Sequence, residues 1–141
     1  MPFGVAVDEF QHICYAHPEL TPKERTYEWH KLEEKYMPWR CYENDPFMER
    51  GGYWYHKLHI YLYPFYYINY TLTTMGAMEF KKKYAEDPKG AWKDYLALTD
   101  VGGSRSYLET LKLANLADPF EPGSVAKATG YAKEILERQI S

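Results

Sequence analysis

Residues 51–78 read GGYWYHKLHIYLYPFYYINYTLTTMGAM and differ in composition from the rest of the chain. Seven of the 15 tyrosines fall between Tyr53 and Tyr70, together with two histidines. Pro64 is a good first-turn helix residue, and no further proline occurs before Pro88. The pattern therefore predicts a long helix from about Pro64 to Tyr84.

This helix is expected to have two unlike faces. At about 100° per residue, one face is predicted to be core; it carries Phe65, Ile68, Leu72 and Met75. The opposite face carries Tyr66, Tyr70, Thr73 and Ala77. A buried phenol hydroxyl without a partner costs about 1–3 kcal/mol, so a strip of tyrosines favours the wall of a polar cleft. A half-buried core helix fits the same pattern, and both interpretations stay open.

The flanking sequence predicts an all-α fold of about six helices. Thr21, Pro22 and Glu24 provide an N-cap, a first-turn proline and a capping-box glutamate for a helix that runs to Pro38. The other five are expected at 3–16, 64–84, 89–100, after a Ser104 cap, and after a Ser124 cap. Residues 37–52 are broken by prolines and a glycine pair, which indicates loop or short turns. No stretch alternates as a strand does.

Composition excludes several classes of protein. The chain has 141 residues and a mass of 16.7 kDa, and we expect one helical domain over residues 1–141. Its net charge of -3 provides no basic field for a nucleic acid backbone. No apolar run approaches the roughly 20 residues of a membrane span. Two cysteines make no disulfide framework and, without a signal-peptide pattern, favour the cytoplasm.

Few residues have the sequence spacing of a known catalytic or metal-binding motif. Asp8 and His12 are one helical turn apart, as zinc ligands often are, but a catalytic site needs a third ligand. The better interpretation is that Asp8 accepts a hydrogen bond or a charge contact from a neighbouring residue and that His12 is an ordinary helix residue with its polar groups satisfied. Gly102 and Gly103 before Ser104 fit a helix stop and cap better than an anion site. Serine and cysteine nucleophile motifs are absent.

Seven short motifs occur in a fixed order along the whole chain. In order they are GVAVDEFQH (4–12), KYMP (35–38), GGYW (51–54), HIxxxPFYYINYTL (59–72), DYL (94–96), GGS (102–104) and LKLANLADPFEPG (111–123). The series resembles the C-terminal part of the catalytic domain of oligoendopeptidase F-type zinc peptidases, relatives of thimet oligopeptidase. These are helical cytoplasmic enzymes that cut short peptides in a deep channel.

The resemblance implies roles for residues of the tyrosine-rich stretch. His59, Tyr66 and Tyr70 match the catalytic histidine and tyrosines that face the zinc and bind the substrate carbonyl, and Tyr63 or Tyr67 lines the substrate cleft. The family's zinc is held by an H-E-x-x-H helix and a glutamate on a following helix. This sequence contains no H-E-x-x-H, so we expect zinc in the intact enzyme and no metal ligand in this chain.

The resemblance leaves three functional hypotheses. The first is a C-terminal segment of a zinc-dependent oligoendopeptidase that is inactive by itself and needs the upstream half of the catalytic domain as its partner. The second is a free-standing helical module that binds short peptides without catalysis. The third is an inert chain whose exposed aromatic surface leads to self-association.

Overall fold

The computed structural model describes residues 1–140, which are all-α. The eight helices are α1 (Pro2–Ala16), α2 (Pro22–Tyr36), α3 (Pro46–Glu49), α4 (Leu58–Leu62), α5 (Ile68–Glu86), α6 (Pro88–Asp100), α7 (Tyr107–Leu113) and α8 (Ser124–Ile140), with a 3-10 turn at Gly52–His56. The six longest correspond to the six predicted helices, two of them with a different start, and α3 and the 3-10 turn lie in or next to the predicted loop. No described helix is long and apolar enough to span a membrane.

The backbone forms two compact units, one from Met1 to Thr71 and one from Leu72 onward. In the first unit, α1 packs on α2 around a fully buried aromatic core. The ring of Phe10 lies 5.3 Å from Trp29 and 5.1 Å from Trp54, centroid to centroid. Buried aromatic rings of this kind contribute about 0.5–1.5 kcal/mol per pair beyond the area they remove from water.

Polar contacts fix the ends and the pairing of α1 and α2. Thr21 and Glu24 form the predicted capping box, in which the Glu24 carboxylate accepts from the Thr21 backbone N–H at 2.8 Å. Glu9 of α1 accepts hydrogen bonds from Lys35 Nζ at 2.8 Å and from the Tyr36 hydroxyl. These bonds, that of Lys35 first, hold the pKa of Glu9 below its ordinary value.

The second unit is built around Leu111, Ala114 and Leu116, with Phe80 and Leu98 packed against them. The predicted Ser104 cap is wrong, because α7 begins after Ser106. Ser106 and Glu109 have capping-box spacing, and the Glu109 carboxylate accepts from the Ser106 backbone N–H at 3.0 Å. Ser104 instead belongs to the turn that ends α6, in which Gly102 and Gly103 take positive φ.

The predicted helix start at Pro64 is also wrong, because α5 begins at Ile68. Residues 63–67 form a turn, and Phe65 takes a φ of +58°, in the left-handed region that costs a bulky residue about 1–2 kcal/mol. Phe65 consequently does not belong to a core face of α5; it is 37% exposed, and its ring packs on His12 and Tyr15 of α1. Met75, predicted on that face, is buried.

Candidate functional site

The five predicted site residues form one cluster of rings in the first unit. From the ring of His59, centroid distances are 6.0 Å to Tyr63, 6.4 Å to Tyr66, 5.0 Å to Tyr67 and 6.0 Å to Tyr70. Tyr66 and Tyr70 are 5.7 Å apart in an edge-to-face arrangement. We call these five residues the tyrosine cluster.

Three consecutive elements, namely α4, the turn after it and the start of α5, position the tyrosine cluster. His59 lies in α4, and its carbonyl accepts from the backbone N–H of Tyr63 at 3.0 Å, which ends that helix. Tyr66 donates its backbone N–H to the Tyr63 carbonyl at 3.2 Å within the turn. Tyr70 then lies in the first turn of α5. The turn therefore folds the chain back so that residues before and after it share one surface.

The side chain of Gln11 in α1 hydrogen-bonds to the turn, and this residue is only 1% exposed. Its Oε1 accepts from the backbone N–H of Phe65 at 2.9 Å, and its Nε2 donates to the Val7 carbonyl at 3.1 Å. Both ends of the buried amide are thus satisfied, as burial requires. The bond to Phe65 stabilises the left-handed backbone on which the positions of the tyrosines depend.

Gly4 allows a second close approach between α1 and this region. A Cβ at position 4 would lie 2.0 Å from Thr71 Oγ1, far inside contact distance, and 4.0 Å from a ring carbon of Tyr67. The absence of a side chain at Gly4 lets the start of α5 lie directly on α1. A glycine in the first turn of α1 therefore has a packing reason.

Three tyrosines of the tyrosine cluster are exposed to solvent, and one of them, Tyr70, is uncharged at neutral pH. Tyr63, Tyr66 and Tyr70 are each about half exposed. Partial desolvation raises the pKa of Tyr70, and the neighbouring Tyr66 and Tyr67 raise it further. Because an ordinary phenol already titrates near pH 10, the Tyr70 hydroxyl is a hydrogen-bond donor at neutral pH. An accessible phenol of this kind suits a carbonyl or oxyanion ligand.

The remaining sequence candidates lie outside this cluster. Asp8 and His12 pair with each other at 3.3 Å, as expected for an i, i+4 contact. Within residues 1–140, no three His, Cys, Asp or Glu side chains come together as a possible metal site. Catalytic zinc takes three protein ligands and a water, so the described residues do not fit a complete zinc centre. His56 lies against Tyr53, with 5.8 Å between ring centroids.

Sequence reasoning missed Gln11 and Phe65, the two residues that set the turn. A signal existed for Gln11, because in the predicted helix at 3–16 this polar residue lies one helical turn after Val7 and next to Phe10, two apolar residues. Such a residue must hydrogen-bond to a partner elsewhere in the fold. The positive φ of Phe65 has no counterpart in the sequence, since bulky residues rarely adopt it.

Three solved structures are similar to almost the whole of this chain, whereas no protein-family model and no curated protein matches it. A protein designated oligoendopeptidase F is 48% identical, with a TM-score of 0.91 over 96% of this chain. Pz peptidase A, solved with an inhibitor, is 46% identical, with a TM-score of 0.92 over 97%. A protein designated oligoendopeptidase F from Bacillus anthracis strain Ames is 36% identical, with a TM-score of 0.74 over 97%.

This chain spans 24%, 24% and 21% of the lengths of those three proteins, respectively. Identity of this level over nearly all of the present residues, with the same helical arrangement, agrees with the motif series from GVAVDEFQH to LKLANLADPFEPG. The chain belongs to the oligoendopeptidase F family and corresponds to about a quarter of the length of these members.

Proposed function

We propose that this segment supplies the peptide-binding and oxyanion-stabilising groups of a zinc-dependent oligoendopeptidase that hydrolyses short peptides. The observation that carries the proposal is the tyrosine cluster, in which His59 lies within 6.4 Å of four tyrosine rings. Zinc, held in the upstream part of the catalytic domain, would activate the attacking water. The residues described here would bind and orient the peptide.

The roles follow from what a phenol and an imidazole offer. Attack on a peptide carbonyl creates an oxyanion, and a protonated Tyr66 or Tyr70 hydroxyl can donate a hydrogen bond to it. His59 either orients one of these hydroxyls or donates to the substrate directly. Tyr63 and Tyr67 present ring faces to the peptide. Removing one oxyanion donor typically costs about 100- to 1000-fold in rate.

The partner of this segment would be the upstream half of the catalytic domain. The relatives are about four times as long as this chain, which supports a division of labour between the two parts. Because donors to an oxyanion assist a reaction that the metal and its water perform, we expect no hydrolysis by these residues alone.

The first test is hydrolysis of a quenched fluorescent peptide by the purified chain, with zinc added and with a chelator as the control. We expect the purified chain to show no zinc-dependent cleavage. Chelator-sensitive cleavage that copurifies with the chain would contradict it, and Asp8, His12 and His59 would then be the first ligands to replace.

A chimera tests the roles of individual residues. The chain would replace the corresponding segment of Pz peptidase A, to which it is 46% identical, and the chimera should cleave peptides. In it, Tyr66→Phe or Tyr70→Phe should lower kcat about 100- to 1000-fold for the residue that contacts the oxyanion, with little change in KM. His59→Ala should also lower kcat.

The matched control is Tyr27→Phe, which removes an exposed hydroxyl from α2 outside the cluster and should leave kcat unchanged. Full activity of all three cluster variants, or an inactive unmutated chimera that is folded, would refute the proposal.

The tyrosine cluster also favours a second candidate function. All five of its residues lie in the first unit, so the cluster is complete within this chain and would serve as a peptide-binding surface without the upstream part. A free-standing peptide-binding module would bind peptides tightly and never turn them over, even when the upstream part is supplied.

A further inference from the structure

Lys57 lies immediately before α4 and is held against the tyrosine cluster by aromatic rings. Its Nζ is 3.9 Å from the ring centroid of Tyr67 and 5.4 Å from that of Phe3. An ammonium group in this position is attracted by the negative faces of the rings. The charge is therefore fixed beside Tyr67, one of the two residues proposed to line the cleft.

Lys57 differs from Arg40 and Lys35, two other cations of the first unit, because no acidic side chain pairs with it. Among residues 1–140, no carboxylate oxygen lies within ion-pair distance of Lys57 Nζ. Arg40 lies over the same Phe3 ring but pairs with Glu33 at 3.3 Å, and Lys35 pairs with Glu9 at 2.8 Å. Lys57 thus retains the capacity to bind an anion.

The geometry points to Lys57 as a specificity residue that binds a carboxylate of the peptide ligand, and this inference rests on the proposed function of the tyrosine cluster. Two sources provide that carboxylate, the C-terminus of a short peptide or an aspartate or glutamate side chain. A half-buried ammonium that is already ordered by ring contacts loses little side-chain entropy on binding, which favours a net gain in affinity.

Calorimetric titration of the 141-residue chain tests the inference with three N-acetylated peptides. These are Ala-Ala-Phe-Ala-Ala with a free C-terminal acid, the same peptide as its C-terminal amide, and the amide with glutamate at the last position. We expect one or both carboxylate peptides to bind about three- to tenfold more tightly than the neutral amide. The preferred peptide identifies the source of the carboxylate.

Variants separate charge from packing. Lys57→Gln should abolish the preference, measured as the ratio of the affinities for the carboxylate peptides and the neutral amide, and Lys57→Arg should keep that ratio. Lys23→Gln, at an exposed position on α2, is the matched control and should bind like the wild type. In the wild-type chain, salt raised from about 0.05 to about 0.5 M should remove most of the preference, which tests the charge without a substitution.

The outcomes distinguish this inference from the proposed function. If all three peptides bind the wild-type chain equally, or if Lys57→Gln keeps the preference, the inference is wrong and the tyrosine cluster is still a peptide site. If none of the three peptides binds, the inference is overturned together with the second candidate function, and the chimera with Pz peptidase A then decides the proposed function.

Discussion

Replacing Gln11 by methionine tests whether one buried amide holds the turn at residues 63–67. Methionine keeps the volume of the side chain but cannot accept the Phe65 backbone N–H, now bound at 2.9 Å. A buried donor left without a partner costs about 1–3 kcal/mol. This is as large as the cost of about 1–2 kcal/mol for the left-handed conformation of Phe65, so the turn should rearrange.

The assay is urea unfolding followed by tryptophan fluorescence, which reports mainly on the first unit because Trp29, Trp39 and Trp54 all lie in it. We expect Gln11→Met to lower the free energy of unfolding by about 1–3 kcal/mol. Peptide affinity should fall as well, because the turn positions the tyrosine cluster.

The chain has one other glutamine, Gln139, which is exposed on α8. Gln139→Met is therefore the matched control and should change the free energy of unfolding by less than about 0.5 kcal/mol. If Gln11→Met is no more destabilising than Gln139→Met, and its peptide affinity is unchanged, the bond between α1 and the turn does not hold the site.

Three further perturbations follow from the packing, the charges and the caps. Gly4→Ala would place a Cβ 2.0 Å from Thr71 Oγ1 and should lower the free energy of unfolding by about 1–3 kcal/mol in the same urea assay; wild-type stability would contradict the close approach. Glu9 has a lowered pKa in the folded chain, so its contribution to stability is present above its ordinary pKa of 4.5 and is lost as the pH falls through the folded value. The free energy of unfolding of Glu9→Gln should consequently fall less than that of the wild type between pH 7 and about pH 3, and equal decreases would contradict this. Ser106→Ala should destabilise the chain by about 1 kcal/mol, whereas Ser104→Ala should have little effect on thermal unfolding; the reverse order would contradict the observed cap.

The elements that sequence reasoning located correctly depend on local signals. The start of α2 follows from two residues three positions apart, Thr21 and Glu24. The cap of α7 depends on an equally local signal, the Ser106 and Glu109 pair, which competes with Ser104 two residues earlier. Spacing to a glutamate decides between such serines, and only Ser106 has one at the required distance.

The turn before α5 was beyond local reasoning. Pro64 is compatible with the first turn of a helix, and nothing among its neighbours indicates that Phe65 adopts a positive φ. The deciding contact comes from Gln11, far away in sequence. The five residues of the tyrosine cluster were predicted from the family resemblance and not from local pattern. Helical periodicity by itself placed Tyr66 within the long helix, whereas in the structure α5 begins after Tyr66, at Ile68.

The hydrogen bond between Gln11 and Phe65 joins residues 54 positions apart, and this separation has a consequence for the order of folding. Helices α1 and α2 can form from local contacts, but the turn becomes stable only after a long loop has closed, which makes it a late event. In the native chain, opening of α1 should expose the Phe65 amide to hydrogen exchange and disperse the tyrosine rings in the same step. A bound peptide would then slow exchange at Phe65 and protect α1 from proteolysis, although neither has to touch the ligand.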